Sequence, residues 1–148
     1  IETPYFLPGF KLRKEMMEAA DRGVNITIVV PEHSDVKIAD LLRCKYLGLL
    51  HKNKVKIKYF KPYNLHAKCM LVDKKIFAIG TANFDYRSFR YQHEIMLLGE
   101  EPSIISSLEE HINYSLSECE PFDYQKWKSR PRIQKLFEHM LVPFRHLL

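Results

Sequence analysis

Short apolar runs and longer amphipathic stretches take turns along the first sixty residues. Ile1 to Phe6 has the β-branched and aromatic content of a strand. Lys11 to Arg22 carries Leu12, Met16, Ala19 and Ala20 at helical spacing, and Gly23 is the residue expected to close that helix. Val24 to Val30 (VNITIVV) is almost continuously β-branched, as in a parallel strand buried on both faces. Asp35 stands where a helix cap would, before a stripe of Ile38, Leu41, Leu42, Tyr46, Leu49 and Leu50, and Val55 to Phe60 is the next strand. Two apolar segments, Cys69 to Val72 and Ile76 to Ile79, flank the polar Asp73-Lys74-Lys75 and predict a hairpin. Tyr91 to Leu98 reads as a further strand. Pro102 to Glu118 reads as a helix with Ile104, Ile105, Leu108, Ile112 and Leu116 inward. After a linker near Pro121, a last helix beyond Pro131 is expected to turn Ile133, Leu136, Phe137, Met140 and Leu141 inward. Its basic cast, from Arg130, Arg132, Lys135 and Arg145, is then a solvated face rather than a membrane contact. Strand, helix, strand, helix, strand implies right-handed crossovers. The expected fold class is α/β, a mixed, mainly parallel sheet with helices on both faces, in one domain over residues 1–148.

The chemistry concentrates between Leu65 and Glu94. His66 and Lys68 are two apart on an extended segment, so their side chains leave the same face. An imidazole beside an ammonium suits a phosphodiester: the lysine holds a phosphoryl oxygen, and the imidazole attacks phosphorus or carries a proton. Asn83 adds a neutral donor at the end of the returning strand. Glu94 could hold a ring nitrogen and fix the histidine's tautomer. Asp73 has the opposite parity and sits at the turn, where it reads as a turn-fixing acceptor. Tyr5 and His33 follow the first two strands, at the end of an open sheet where ligands bind. His33, His93, His51, His111, His139 and His146 read as surface groups, and Arg87 as a partner for Asp85 or an internal carboxylate.

Composition narrows the class only a little. Among 148 residues, 46% are hydrophobic and 28% charged, as in an ordinary globular domain, and the net charge of +5 suits nucleic acid or anionic lipid equally. Cys44, Cys69 and Cys119 have no metal-binding spacing and read as buried thiols. No apolar run approaches the ~18 residues of a membrane span. The chain starts on Ile1, with no methionine and in what reads as mid-strand, so a fragment lacking its upstream sequence is expected.

His66-x-Lys68 with Asp73, followed by Gly80-Thr81-Ala82-Asn83, resembles the HKD motif of the phospholipase D superfamily. Thr3-Pro4-Tyr5-Phe6-Leu7-Pro8 is similar to the TPYF-x-P that begins the second half of bacterial cardiolipin synthases. Asn83-Phe84-Asp85-Tyr86-Arg87-Ser88-Phe89 is similar to their N-x-D-x-R-S-F, Gln92-His93-Glu94 stands where they carry N-F-E, and the ending from Trp127 to Leu148 is similar to theirs. The resemblance implies that His66, Lys68 and Asp73 form the catalytic motif, that His66, Lys68 and Asn83 hold phosphate, that Glu94 orients, and that Tyr5 and Thr81 are candidate substrate contacts. It implies no metal and no cofactor. One HKD motif is half a site, so the partner motif comes from a missing N-terminal half or from a second copy. The implied reaction moves a phosphatidyl group between phosphatidylglycerol molecules at the bacterial inner membrane, through a phosphohistidine, with the membrane held by an upstream segment. The alternative is a homodimeric phospholipase D-type nuclease acting on nucleic acid. A non-catalytic lipid-binding half is opposed by the complete motif.

Overall fold

The protein is described by a computed structural model covering residues 1–63 and 65–143. Arg145, His146 and the end of the stretch that resembles the cardiolipin synthase C-terminus lie outside the described residues.

The elements follow in chain order: β1 (Phe6–Leu7), α1 (Phe10–Asp21), β2 (Thr27–Pro31), α2 (Lys37–Lys52), β3 (Lys56–Phe60), β4 (Cys69–Val72) and β5 (Ile76–Gly80). Then come β6 (Phe84–Asp85), α3 (Tyr86–Arg90), β7 (Met96–Gly99), α4 (Pro102–Ser117), β8 (Cys119–Pro121), α5 (Tyr124–Ser129) and α6 (Arg132–Leu141). β2 pairs with β3 in parallel, β8 adds antiparallel to β3, and β4, β5 and β7 form an antiparallel meander. Glu2 joins these two groups, bridging Val29 on one side in parallel and Cys69 on the other antiparallel. The result is the expected mixed α/β sheet. Ile28 and Val30 pack with Met16, Ala20, Leu47 and Leu50 of α1 and α2, while Val29, of opposite parity, packs with Phe60 and Leu65. On the meander, Cys69 and Phe77 bury Ile105 and Leu108 of α4. Each such fully buried Leu, Ile or Phe contributes roughly 1.5–3 kcal/mol of transfer free energy.

Several expectations change. The first strand is interrupted at Pro4, which has no N–H for a ladder, so Glu2 makes isolated bridges and β1 starts only at Phe6. β2 begins at Thr27 rather than Val24, because the Val24 N–H closes α1 on the Ala19 carbonyl (3.0 Å) behind Gly23, whose φ is +96°. Asp35 does not cap α2: the cap position is Val36, and the Asp35 carboxylate accepts a hydrogen bond from the Tyr5 hydroxyl instead. The expected strand over Tyr91–Leu98 shrinks to β7, because Asp85 caps a short helix, α3, with its carboxylate on the Ser88 N–H (2.6 Å). Where a linker was expected, β8 pairs with β3, and Pro121 is tolerated because β8 is an edge strand. His51 is not a surface group. Its ring stacks on Tyr124 and meets Phe122, both brought over α2 by β8 and α5.

The last helix turns the other way round from the expectation. Glu138 is wholly buried, with both carboxylate oxygens 2.7 Å from Arg130, and Gln134 faces Cys44, while Ile133, Leu136, Phe137 and Met140 are exposed. A buried ion pair that is already satisfied fixes this rotation more firmly than the apolar stripe does, because unpairing a buried charge is costly.

All three cysteines are free thiols, and burial pushes Cys69 up to about 12 and Cys44 and Cys119 up to about 11. At pH 8.5 the folded protein is expected to react with a thiol-specific disulfide reagent at least about tenfold more slowly than the chain in urea. Equal rates would mean the thiols are not held in the core. The sign of the linkage follows: between the unfolded thiol value near 9 and the raised folded ones, the unfolded chain has lost protons that the folded one keeps. Stability therefore falls as pH rises through that window.

Candidate active site

The segment before β4 runs extended, and the Gly80 N–H bonds the Lys68 carbonyl (3.1 Å), so the hairpin ladder reaches back as far as Lys68. His66 and Lys68 line one cavity of about 650 Å³ together with Ala67 and Cys69, and its other walls include Gly80, Thr81, Leu108 and His111. The Lys68 ammonium donates to the His66 carbonyl oxygen (2.8 Å), which ties the lysine over the backbone of its neighbour. Partial burial pushes the Lys68 amine down, and the carboxylates of Glu94, Asp35 and Asp85 pull it back up.

Tyr5 meets His66 edge to face, with ring centroids 6.5 Å apart. Its hydroxyl donates to Asp35 at 2.5 Å. Burial, followed by that bond, pushes the phenol up to about 12, so it stays a neutral donor; the same bond holds the Asp35 carboxyl below its usual range, with His66 and Lys68 adding to the effect. Asp35 is thus a neighbour of the pair that the sequence left as a helix cap.

On the other side, the Thr81 hydroxyl donates to Glu94 and accepts from the Ile95 N–H (3.0 Å), while the Thr81 N–H bonds the Ile95 carbonyl (3.0 Å). Glu94 therefore sits beside the site on Thr81; among the described residues it does not hydrogen-bond a ring nitrogen of His66. Asn83 gives its N–H to Ser88 Oγ, and its side-chain oxygen is buried without a partner. Asp85, buried and pushed up mainly by desolvation, takes the Arg87 and Ser88 N–H groups.

Residues 1–116 match the family model described as cardiolipin synthase, PLD-like domain. The chain belongs to that family. Cardiolipin synthase A of Buchnera aphidicola is 33% identical over 138 residues, which is 93% of this chain and 28% of that protein. Cardiolipin synthase A of Klebsiella pneumoniae is 32% identical over 146 residues, 99% of this chain and 30% of that one. The chain thus spans less than a third of the length of these relatives. The fold is that of the phospholipase D family member Nuc from Salmonella typhimurium (TM-score 0.67, 19% identity, 82% of this chain and 78% of that one). It is also that of phosphatidylserine synthase from Haemophilus influenzae (TM-score 0.72, 17% identity, 99% of this chain and 39% of that one).

Not every motif residue of this PLD-like domain reaches the cavity. Asp73 occupies the hairpin turn with φ +51°, beside Lys74 at +55°, as a primed turn demands. It is five residues beyond Lys68, roughly 16 Å along a strand at about 3.3 Å per residue. Its place is the turn, away from the cavity that His66 and Lys68 share. His93 and Arg87 are exposed, and His33 lies on the β2–α2 loop beside a separate cleft.

A second group was invisible in the sequence. His111 is at the surface as expected, yet it sets Nε2 2.9 Å from a carboxylate oxygen of the wholly buried Glu2, 109 positions away, and Cys69 lies close by. Ligand atoms of Glu2, Cys69 and His111 fall within 4.8 Å of one another. The exposed imidazole already serves the buried carboxylate, and burial pushes the Cys69 thiol up, so the trio reads as a hydrogen-bonded Glu2–His111 pair beside the strand that follows His66 and Lys68.

Gly80 holds the two halves of the site together. A Cβ there would lie 2.1 Å from the Ile95 carbonyl oxygen and 2.9 Å from the Met96 Cα, both backbone atoms that no rotamer change can move. Gly80→Ala is expected to cost about 1–3 kcal/mol in a urea titration. It should also lower activity by loosening the Thr81–Glu94 tie. An unchanged midpoint would mean that β7 can retreat freely.

Proposed function

We propose that this domain is the second catalytic half of a cardiolipin synthase-like phosphatidyltransferase acting on phosphatidylglycerol, in a protein whose further sequence supplies the first HKD motif and the hold on the inner membrane. The observation that carries the reading is the His66–Lys68 pair opening into one cavity of a domain that belongs to the cardiolipin synthase family. One imidazole cannot stand on both sides of phosphorus in an in-line displacement, so the reaction needs a second. In the proposed sequence the partner histidine attacks phosphorus and forms the P–N bond. The glycerol oxygen leaves with a proton from protonated His66. Neutral His66 then takes the proton from the hydroxyl of a second phosphatidylglycerol, whose oxygen displaces the partner histidine. Cardiolipin and one glycerol result, and His66 is again protonated.

Lys68 neutralises charge that builds on the phosphoryl oxygens, and Asn83 offers an amide to the same group. Tyr5, as a neutral phenol, borders His66 and is suited to meet the substrate, with Thr81 opposite. Glu94 acts through Thr81, and a hydrogen bond to His66 would need it to turn. The nuclease alternative rests on likeness of fold alone.

The test is to supply the intact protein with vesicles of phosphatidylglycerol and follow lipid products and free glycerol. Cardiolipin and glycerol in equal amounts are expected. Phosphatidic acid without cardiolipin would replace transfer by hydrolysis, and no lipid product would remove the proposal.

A further inference from the structure

We propose that α6 is a lipid-docking helix whose outward apolar face enters the interface of an anionic bilayer. Ile133, Leu136, Phe137 and Met140 are 65%, 59%, 50% and 58% exposed. Their spacing of three, one and three residues puts all four within one stripe of a 3.6-residue helix. The inward stripe is different in kind. Glu138 is bound by Arg130 through both oxygens, Gln134 reaches Cys44 and Glu138, and Leu141 packs against the cluster of Leu42 and Tyr46. The helix therefore cannot roll to hide its apolar side without unpairing a buried charge.

The third sector of the same helix decides what covers that side. Arg132, Lys135 and His139 lie together there, with Lys128 just before, and the one carboxylate of α6, Glu138, is buried against Arg130. An apolar stripe bordered by Arg132 and Lys135, with no exposed acid on the helix, is the pattern of a helix lying in an anionic interface. A protein partner would have to supply carboxylates beside a flat apolar strip, and a second copy would bring its own cations against these.

The surroundings agree. Ile133 and Phe137 form one wall of a cleft of about 930 Å³ that runs to His33 and Ser34 on the β2–α2 loop. The next residue, Asp35, holds Tyr5 beside His66. Of the carboxylates in the cleft, Glu32 and Glu120 share the one charge of Lys61, Asp40 meets Arg43, and Asp123 caps α5 on the Lys126 N–H. Docking α6 thus sets the lipid surface over this cleft, whose far end is the loop that carries Asp35. This inference deepens the phospholipid reading, yet its readout needs no turnover, so the two can fail separately.

The experiment is quenching in the intact protein. A tryptophan placed by Leu136→Trp is read against the parent, using vesicles of phosphatidylglycerol with brominated acyl chains. Additional quenching that disappears in brominated phosphatidylcholine vesicles, and that falls when Arg132→Gln and Lys135→Gln are added, is expected. No additional quenching in phosphatidylglycerol, or equal quenching in both lipids, overturns the proposal. A Leu136→Cys variant that instead cross-links to another part of the protein or to a second copy in the vesicle-bound state also overturns it. Circular dichroism of each variant, unchanged from the parent, secures the comparison.

Discussion

His66→Ala in the intact protein is expected to lower phosphatidyl transfer by at least about 10³-fold while leaving the urea midpoint within about 0.5 kcal/mol of the parent. The two halves of that expectation have separate causes. The ring is exposed and touches the rest of the domain mainly through the edge of Tyr5, so its loss removes little packing. It is also the proposed carrier of the proton that the leaving glycerol needs. A substrate whose leaving group is a stable anion, such as a phosphatidyl p-nitrophenol, should restore most of the first step in His66→Ala, because such a group departs without an acid. Transfer within tenfold of the parent would strip His66 of its role. A variant equally dead on both substrates would make it the nucleophile instead.

Glu138→Ala is expected to cost about 3–5 kcal/mol, the largest stability loss we anticipate from a residue remote from the cavity. It leaves Arg130, 11% exposed, without the carboxylate that meets its guanidinium at two points. The stack of Arg130 on Trp127 (4.2 Å) and its bond to the Trp127 carbonyl remain, so part of the cost is recovered locally. Glu138→Gln keeps the shape and should fall between. The measurement is the urea midpoint at constant slope, and a shift below about 1 kcal/mol would mean that the pair is open to water.

Local rules read the hairpin, α1, α2 and α4 from the sequence because their signals are short in range: two β-rich runs about a polar turn, and apolar stripes closed by Gly23 or opened by Pro102. The pair His66 and Lys68 was legible for the same reason, since strand parity alone aims both one way. What escaped was set by distance along the chain. Nothing local links Glu2 to His111, or Asp35 to Tyr5, and α6 was misread because an apolar stripe ordinarily points inward. Arg130 and Glu138, eight residues apart, outvoted that rule. Asp85 could have been found: an aspartate three residues before Ser88, ahead of a short polar-aromatic run, is a cap signal that the family resemblance overshadowed.

The splice at Ile1–Thr3 bears on how the domain comes to exist in time. Glu2 pairs with Cys69 through bonds of 2.9 and 3.1 Å across 67 positions, and Thr3 Oγ1 receives the Phe84 N–H across 81. Closing loops of that size precedes any return from the contacts they make, so ordering of the segment that carries His66 and Lys68 should be among the slow events of folding. The β4–β5 hairpin can form early by itself, and the face that carries His66 and Lys68 then waits for residues 1–3 to dock alongside. During that interval a protease would find Leu65 to Lys68 unprotected after the hairpin is already closed, which gives the site its own clock, separate from that of the rest of the sheet.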